Sequence, residues 1–457
     1  MRIAILDQSE PGWKAGEVFT CMMLASLDLA DFGETEVVFL RRNPDIIPPA
    51  KIAVSDIPWS PTREEWEAIQ RRERLDAIVP VRDFSLEHIL VAQVGWIPDF
   101  QHVHLPEIFS AEELRARDRL FEEIARQCEL VSFTCEAAAA EYRESHPAQA
   151  AKARVLRFPS LMWRENLSAD PARVARKFHL PAKFALAFNQ MWKHKNHLVL
   201  PPAAAEVLRK HPDFYLVVAG MPADYRDPQN RYLSAFLQAC AECGVHDRIF
   251  LLGGISREDL VDLFRCAALI IQPSFHEGWS TSVEDAKALG RPLACSELPV
   301  LREQAPHAAF FDPRHPASLA GALGPLWSAV RPGPDLPNEA RALAAARDDA
   351  QSYGESLLAV AEEAARIQRE TLQTRMAAAK SALEGIFHPA AQGWWRIGSA
   401  LALCARKPEA PPPLPESATL VESAGHYRML EETRRALSLA SRGLWFKLGR
   451  ALRLVPR

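Results

Sequence analysis

QPSFHEGWSTSVEDAKALGRPL, residues 272–293, is the stretch on which the reading of this chain turns. The apolar run 267–271 enters it as a buried strand and stops at Pro273. A polar turn then carries Glu277 and Gly278 into a helix. Thr281 and Glu284 form a Thr-x-x-Glu pattern ahead of an apolar periodicity, which predicts a capping box. Val283, Ala286 and Leu289 fall on one helical face, and Gly290 with Pro292 ends it. Such a strand, tight loop and helix N-terminus leave free backbone N–H groups beside the positive end of the helix dipole, where phosphate is attracted. Two carboxylates, Glu277 and Asp285, flank the loop eight positions apart. Glu284 beside the second is either the cap or a ligand.

Outward from this stretch, strands alternate with helices. Short apolar runs at 2–6, 36–40, 51–54, 76–80, 93–97, 130–134 and 153–158 are separated by helical pieces such as 18–29, 62–74, 111–127 and 136–144. After residue 184 the order repeats, with strands at 184–189, 215–219, 248–252, 293–296 and 308–311 and helices at 229–242 and 257–266. This alternation predicts parallel α/β sheets. In such sheets the strand ends line up along one edge, and ligands bind in the crevice there. Gly220, Gly253, Gly254 and the loop 277–282 are therefore expected to converge. Beyond residue 314 the chain turns helical and Ala-rich, with 339–373 long enough to cross back onto the first half.

The Glu277/Asp285 pair resembles the Glu-x7-Glu signature of retaining glycosyltransferases of GT-B architecture, in particular glycosyltransferase family 4 (glycosyl transferases group 1), here in a Glu-x7-Asp form. The resemblance covers roughly residues 1–330 and is densest at 96–110, 189–197 and 274–293. It implies two Rossmann-like, doubly wound α/β domains facing across a cleft, with a helical C-terminal extension. The expected divisions are 1–175 for an acceptor domain, 176–335 for a nucleotide-sugar donor domain and 336–407 for a helical return segment. It also implies a retaining, metal-independent hexosyltransfer from a nucleoside-diphosphate sugar to a glycan or lipid-linked acceptor hydroxyl, as in bacterial polysaccharide or glycolipid assembly.

Site residues follow from the same resemblance. Lys195, in the Lys195-Asn196 pair after a strand, would hold the diphosphate with the amides near Ser280, Thr281 and Ser282 and with Gly278. Gln190 stands where the family often has Arg, and Lys193 compensates. Asp285, or Glu284 if the register slips, would take the ribose hydroxyls, and Glu277 would orient the sugar. WIPDFQHVHLPEIFS, residues 96–110, is similar to the interdomain histidine region, with His102 favoured to back the sugar and His104 in reserve. Gly16, with Gly12 and Trp13 after the first strand, corresponds to a Gly-rich loop facing the donor phosphates, although Ala15 stands where a second glycine is common. An ordinary turn there, and a merely solvated Lys/His loop at 189–197, remain open.

Composition narrows the partners. With 457 residues the chain is too long for one core, and a net charge of −4 gives no general attraction to nucleic acid. Eight scattered cysteines and no long apolar start point to a reducing cytoplasm. Cys240 and Cys243 lack a second ligand pair, so packed helix cysteines are expected rather than zinc. No Asp-x-Asp is present to hold a divalent ion, and neither a metal nor a separate cofactor is expected. Residues 408–416 are Pro-rich and read as a stiff linker. The tail 417–457 becomes basic and amphipathic over 434–457, as expected of a peripheral membrane contact or of docking on protein. Two other functions fit the pattern: a nucleotide-sugar epimerase of the same architecture, and a non-catalytic sugar-nucleotide-binding scaffold.

Overall fold

Two parallel sheets organise the chain. The computed structural model describes residues 1–10, 14–82, 89, 91–222, 224 and 226–387, with side chains of the last helix described as far as Thr374. The expected linker 408–416 and the tail 417–457 lie outside the described residues, as do Gly12, Trp13 and 388–407.

The first domain runs β1 (Arg2–Leu6), α1 (Lys14–Leu29), β2 (Glu36–Arg41), β3 (Ala53–Asp56), α2 (Arg63–Glu73), β4 (Ala77–Val81), β5 (Ala92–Trp96), α3 (Gln101–His104), α4 (Ala111–Gln127), β6 (Leu130–Phe133), α5 (Glu136–Ser145) and β7 (Ala153–Val155). Its sheet has the order β3-β2-β1-β4-β5-β6-β7. The inner strands β1, β2 and β4 are near-continuous apolar runs, as sheets covered by helices on both faces require, while the edge strand β3 is mostly exposed. Capping boxes start two of the helices, Thr62 with Glu65 at α2 and Ser110 with Glu113 at α4, each satisfying two otherwise orphaned amides.

The second domain follows with α6 (Arg173–Lys177), β8 (Ala185–Phe188), α7 (Leu200–Leu208), β9 (Leu216–Ala219), α8 (Arg231–Glu242), β10 (Ile249–Gly253), α9 (Arg257–Cys266), β11 (Leu269–Gln272), α10 (Thr281–Ala288), β12 (Leu293–Ser296), α11 (Pro299–Gln304), β13 (Ala309–Phe311) and α12 (Pro316–Ala329). The sheet order is β10-β9-β8-β11-β12-β13. In both sheets the order reverses beside the first strand, between β1 and β4 and between β8 and β11. A crevice opens at such a switch point. Arg173 and Lys177 of α6 bond Asp259 at 3.0 and 2.6 Å, which fastens the connecting segment to α9.

The last helix, α13 (Leu336–Phe387), joins the two domains. Its start is held to the second domain by a buried ion pair, Arg265 Nε to Glu339 at 2.8 Å, and by Asn338 donating to the Gly290 carbonyl at 2.7 Å. Farther on it lies against the first domain. Tyr353, Leu357, Leu358 and Ala361 share a core with Phe19, Met22, Met23 and Leu27 of α1. Arg154 pairs with Glu363, and Thr35 donates to Glu362 at 2.6 Å. Each large apolar side chain buried in this seam contributes about 1.5–3 kcal/mol, so the helix acts as a strap across both domains.

Candidate functional site

The loops leaving β8 and β11 lie side by side at the second switch point and are bonded together. Phe275 N donates to the His194 carbonyl at 2.8 Å. Asn196, in the left-handed region at φ 55°, donates from Nδ2 to the carbonyls of Pro273 (2.9 Å) and Pro313 (2.7 Å). Beneath them Asn189 Nδ2 donates to Gln272 Oε1 at 3.0 Å, tying the two strand ends.

This frame brings Lys195 and Glu277 together. Lys195 Nζ donates to both carboxylate oxygens, at 2.7 and 2.9 Å, and Gln272 Nε2 donates to Oε1 at 2.6 Å. Both are largely buried, with side-chain exposures of 18% for Lys195 and 6% for Glu277. Glu277 and Gly278 line an interdomain cavity of about 1010 Å³, whose opposite wall carries Asp99, His104 and Glu141 of the first domain. Gly278 allows this closeness, because a Cβ there would come 2.3 Å from the Pro98 carbonyl oxygen. Its own carbonyl accepts from Thr134 at 3.0 Å.

The histidines differ from expectation. His104, not His102, reaches the cavity. His104 Nε2 lies 2.8 Å from Glu141, and its ring stacks 5.2 Å from that of His276 on the β11 loop. His102 is 4% exposed, packed edge-on against Phe121 with Nε2 3.2 Å from Asp118, and burial lowers its pKa. In the one-turn helix α3 the two side chains project differently, and the more apolar surroundings took His102. Burial is also the main influence lowering the pKa of His276, whose Nε2 finds no partner among the described residues.

The first turn of α10 also departs from expectation. Ser280, not Thr281, is the N-cap, and its hydroxyl accepts from Val283 N at 3.3 Å. Glu284 therefore sits one position too far along to cap. It accepts instead from Lys287 (2.9 Å) and Gln304 (3.0 Å). Gln304 also takes the Ser280 amide at 3.1 Å, so that expected phosphate donor is already committed. Ser282 Oγ donates to the Phe188 carbonyl at 2.6 Å, while Thr281 is exposed.

Asp285 is buried beneath the interdomain connection. Ser160 Oγ donates to its Oδ1 at 2.6 Å, and Arg257 Nη1 lies 3.6 Å from Oδ2. Desolvation raises its pKa against the opposing pull of Arg257 and Ser160, and burial raises that of Glu284 as well. Ser160, Arg257, Gln272, His276 and Glu141 were not singled out in the sequence. Only His276 had a local signal, its adjacency to Glu277.

Of the remaining candidates, Gly220 and Gly253 meet as expected, Gly220 N donating to the Gly253 carbonyl at 2.8 Å. Gln190 is half-buried and Lys193 exposed on the β8 loop. Gly220 ends β9 at φ 138°, where a Cβ would lie 2.1 Å from the Asn189 carbonyl oxygen, so it serves the approach of two strand ends. Gly253 ends β10, and Gly254 lies against Met221. Gly16 is inside α1, which begins at Lys14, so it is a helical residue rather than part of the loop expected after β1.

Comparison with known proteins agrees with this layout. Residues 171–326 match the family model described as Glycosyl transferases group 1. Among curated proteins, D-inositol 3-phosphate glycosyltransferase of Acidothermus cellulolyticus is 28% identical over 166 residues, 34% of this chain and 36% of that protein. The enzyme of the same name from Corynebacterium efficiens is 28% identical over 171 residues, 35% of this chain and 39% of that one. The match thus spans little more than a third of these relatives. Among solved structures, sucrose-phosphate synthase from Thermosynechococcus elongatus superposes with a TM-score of 0.55 at 16% identity, covering 83% of this chain and 99% of that one. Anabaena HepE, solved with UDP and glucose, gives 0.55 at 17% identity over 82% of this chain and 100% of that one. The chain has the GT-B fold, two Rossmann-like parallel α/β domains with a helical C-terminal region, and its second domain carries the glycosyl transferases group 1 match.

Proposed function

We propose that this protein is a retaining glycosyltransferase that moves a sugar from a nucleoside-diphosphate donor to an acceptor hydroxyl, in the assembly of a bacterial polysaccharide or glycolipid. The observation that carries this reading is the Lys195–Glu277 pair at the switch point of the second sheet, whose carboxylate lines a cavity walled on its other side by the first domain. Anabaena HepE, solved with UDP and with glucose, supports the donor class by likeness of fold.

The reaction breaks the anomeric C–O bond to the diphosphate and forms a new one to the acceptor oxygen on the same face. The acceptor proton passes to the departing diphosphate. Negative charge grows on that leaving group and positive charge on the sugar ring, so fixed groups of both signs are needed. In this reading Lys195 meets the diphosphate together with the Thr281 and Ser282 amides, for which no acceptor is seen among the described residues. Glu277, released in part from Lys195, orients the sugar, and Asp285 takes the ribose beside Ser160. No metal or further cofactor is assigned.

Nucleotide sugars screened by thermal shift, followed by donor consumption with and without acceptors, test the proposal. The expected result is transfer with the product anomer matching the donor by NMR. An inverted product removes retention. Conversion of the donor to its epimer without an acceptor replaces transfer by epimerisation.

A further inference from the structure

Carboxylates dominate the charged wall of the interdomain cavity. Asp99, Glu107 and Glu141 reach it from the first domain, and Glu277, Glu297 and Asp312 from the second, against a single guanidinium, Arg314, on the wall among the described residues. Three of the six carboxylates are held: Glu141 by His104, Glu277 by Lys195 and Glu297 by Arg302. Glu107 is in no ion pair among the described residues, Asp99 accepts from the Gln101 amide at 2.9 Å and has nearby only histidines whose burial lowers their pKa, and Asp312 has only the exposed His315, at 3.6 Å. Crediting Lys195 and Arg302 still leaves the wall with an excess of negative charge.

Such a wall repels anions. Ionised carboxylates accept hydrogen bonds and donate none, so they bind hydroxyl groups well and phosphates badly. The cations assigned to the donor diphosphate belong to the β8 loop, and the carboxylate ring offers it nothing. What remains in front of Glu277 is room for the sugar and for what receives it. At about 1010 Å³ the cavity lies at the upper end of the roughly 300–1,000 Å³ usual for small-ligand sites.

We infer that the cavity admits an acceptor that is polyhydroxylated and not anionic, and that Asp99, Glu107 and Asp312 set this specificity by excluding phosphorylated and carboxylated acceptors. The inference rests on the glycosyltransferase reading and names the acceptor class for the same site.

The test uses the full chain with the best donor from the screen. Glucose is compared with glucose 6-phosphate, and inositol with D-inositol 3-phosphate, the compound in the curated relatives' name. The expected result is a kcat/KM at least about tenfold higher for the uncharged member of each pair, with the ratio shrinking as salt is raised from about 0.05 to 0.5 M. A charge some 8 Å from the phosphate at an effective dielectric of about 40–60 changes the interaction by roughly three- to sixfold. Glu107→Lys should shift the ratio toward the phosphorylated member by more than that factor and Glu107→Gln by about that factor. Equal or better use of the phosphorylated members overturns the inference, as does a ratio indifferent to salt and to both variants. If no pair is glycosylated, the same compounds are compared as inhibitors of donor hydrolysis under the same criterion. A chain that neither transfers nor hydrolyses any donor fails the glycosyltransferase reading itself, which is a separate outcome.

Discussion

The two domains share a strand order around their switch points and use it in opposite ways. After β1, Asp7 accepts from the amides of Ser9 (2.8 Å), Arg42 (2.9 Å) and Asn43 (2.8 Å), and Gln8 Nε2 donates to the carbonyls of Leu6 (3.0 Å) and Pro80 (2.9 Å). Among the described residues, the polar side chains after β1 thus bond to the surrounding backbone. After β8 and β11, the second domain keeps Glu277, bonded to Lys195, at the surface of a cavity. Topology places a crevice in each domain, and the loop residues decide whether it is filled or reactive.

The largest expected effect tests that asymmetry. Lys195→Ala removes the cation that bonds Glu277 among the described residues, and donor turnover should fall about 10²- to 10³-fold, the usual loss for one charge-stabilising donor. Gln8→Ala should lower stability in urea and leave turnover largely intact. Steady-state kinetics on both variants decide it, and an equal fall in turnover for Gln8→Ala would break the comparison.

Much of the fold was legible because its signals are local. Apolar runs marked the strands, and the helical piece 111–127 falls where α4 runs. Helix α7 was expected after Lys195-Asn196 by resemblance but without bounds: Pro201 and Pro202 look like breakers, yet both fall in its first turn, where a missing N–H costs nothing. Lys195 and Glu277 were legible through motif spacing, but their mutual bond was not, since 82 residues separate them. The same holds for Asp285, whose partner Ser160 lies 125 residues away in a stretch with no periodicity. The choice between His102 and His104 depended on which side of a single helical turn faced apolar neighbours, which sequence spacing does not encode.

A buried acid of the first domain sharpens the contrast through stability. Glu129 accepts from the Gln93 amide at 2.7 Å, and burial raises its pKa from 4.5 to about 7. The native chain therefore holds this proton after the unfolded chain has released it. That stabilising contribution is complete below pH 4.5 and is lost as pH rises to about 7. Glu129→Gln should flatten the decline and leave the protein roughly 2–3 kcal/mol more stable than the parent above pH 7. Urea denaturation at pH 5 and pH 8 measures it, and an unchanged slope would show that Glu129 is not the group responsible.

Asp285 should behave differently, as a group of the second domain poised for a ligand. Asp285→Ala should weaken nucleotide binding by about 10- to 150-fold, the worth of a charge-assisted hydrogen bond of roughly 1.5–3 kcal/mol. Calorimetry with UDP reads this directly. Unchanged affinity would reduce Asp285 to an interdomain tie, making the two domains more alike in how they spend their polar groups.

Ser160→Ala is the finest probe, because it separates the tie from the ligand role. In the structure the Ser160 hydroxyl donates to Asp285 Oδ1 at 2.6 Å, so a ribose hydroxyl bonding that oxygen shares it with Ser160. Removing the hydroxyl deletes a charge-assisted hydrogen bond worth about 1.5–3 kcal/mol to the unliganded protein and removes the competitor. If Asp285 receives the ribose, nucleotide affinity should rise by a few fold, because the two donors share one oxygen, while stability without ligand falls by about 1.5–3 kcal/mol. If Asp285 only fastens the connection to the second domain, stability falls alone. Since the hydroxyl touches nothing assigned to the donor sugar or diphosphate, a change in kcat at saturating donor would count against both accounts and would move Ser160 into the reacting centre.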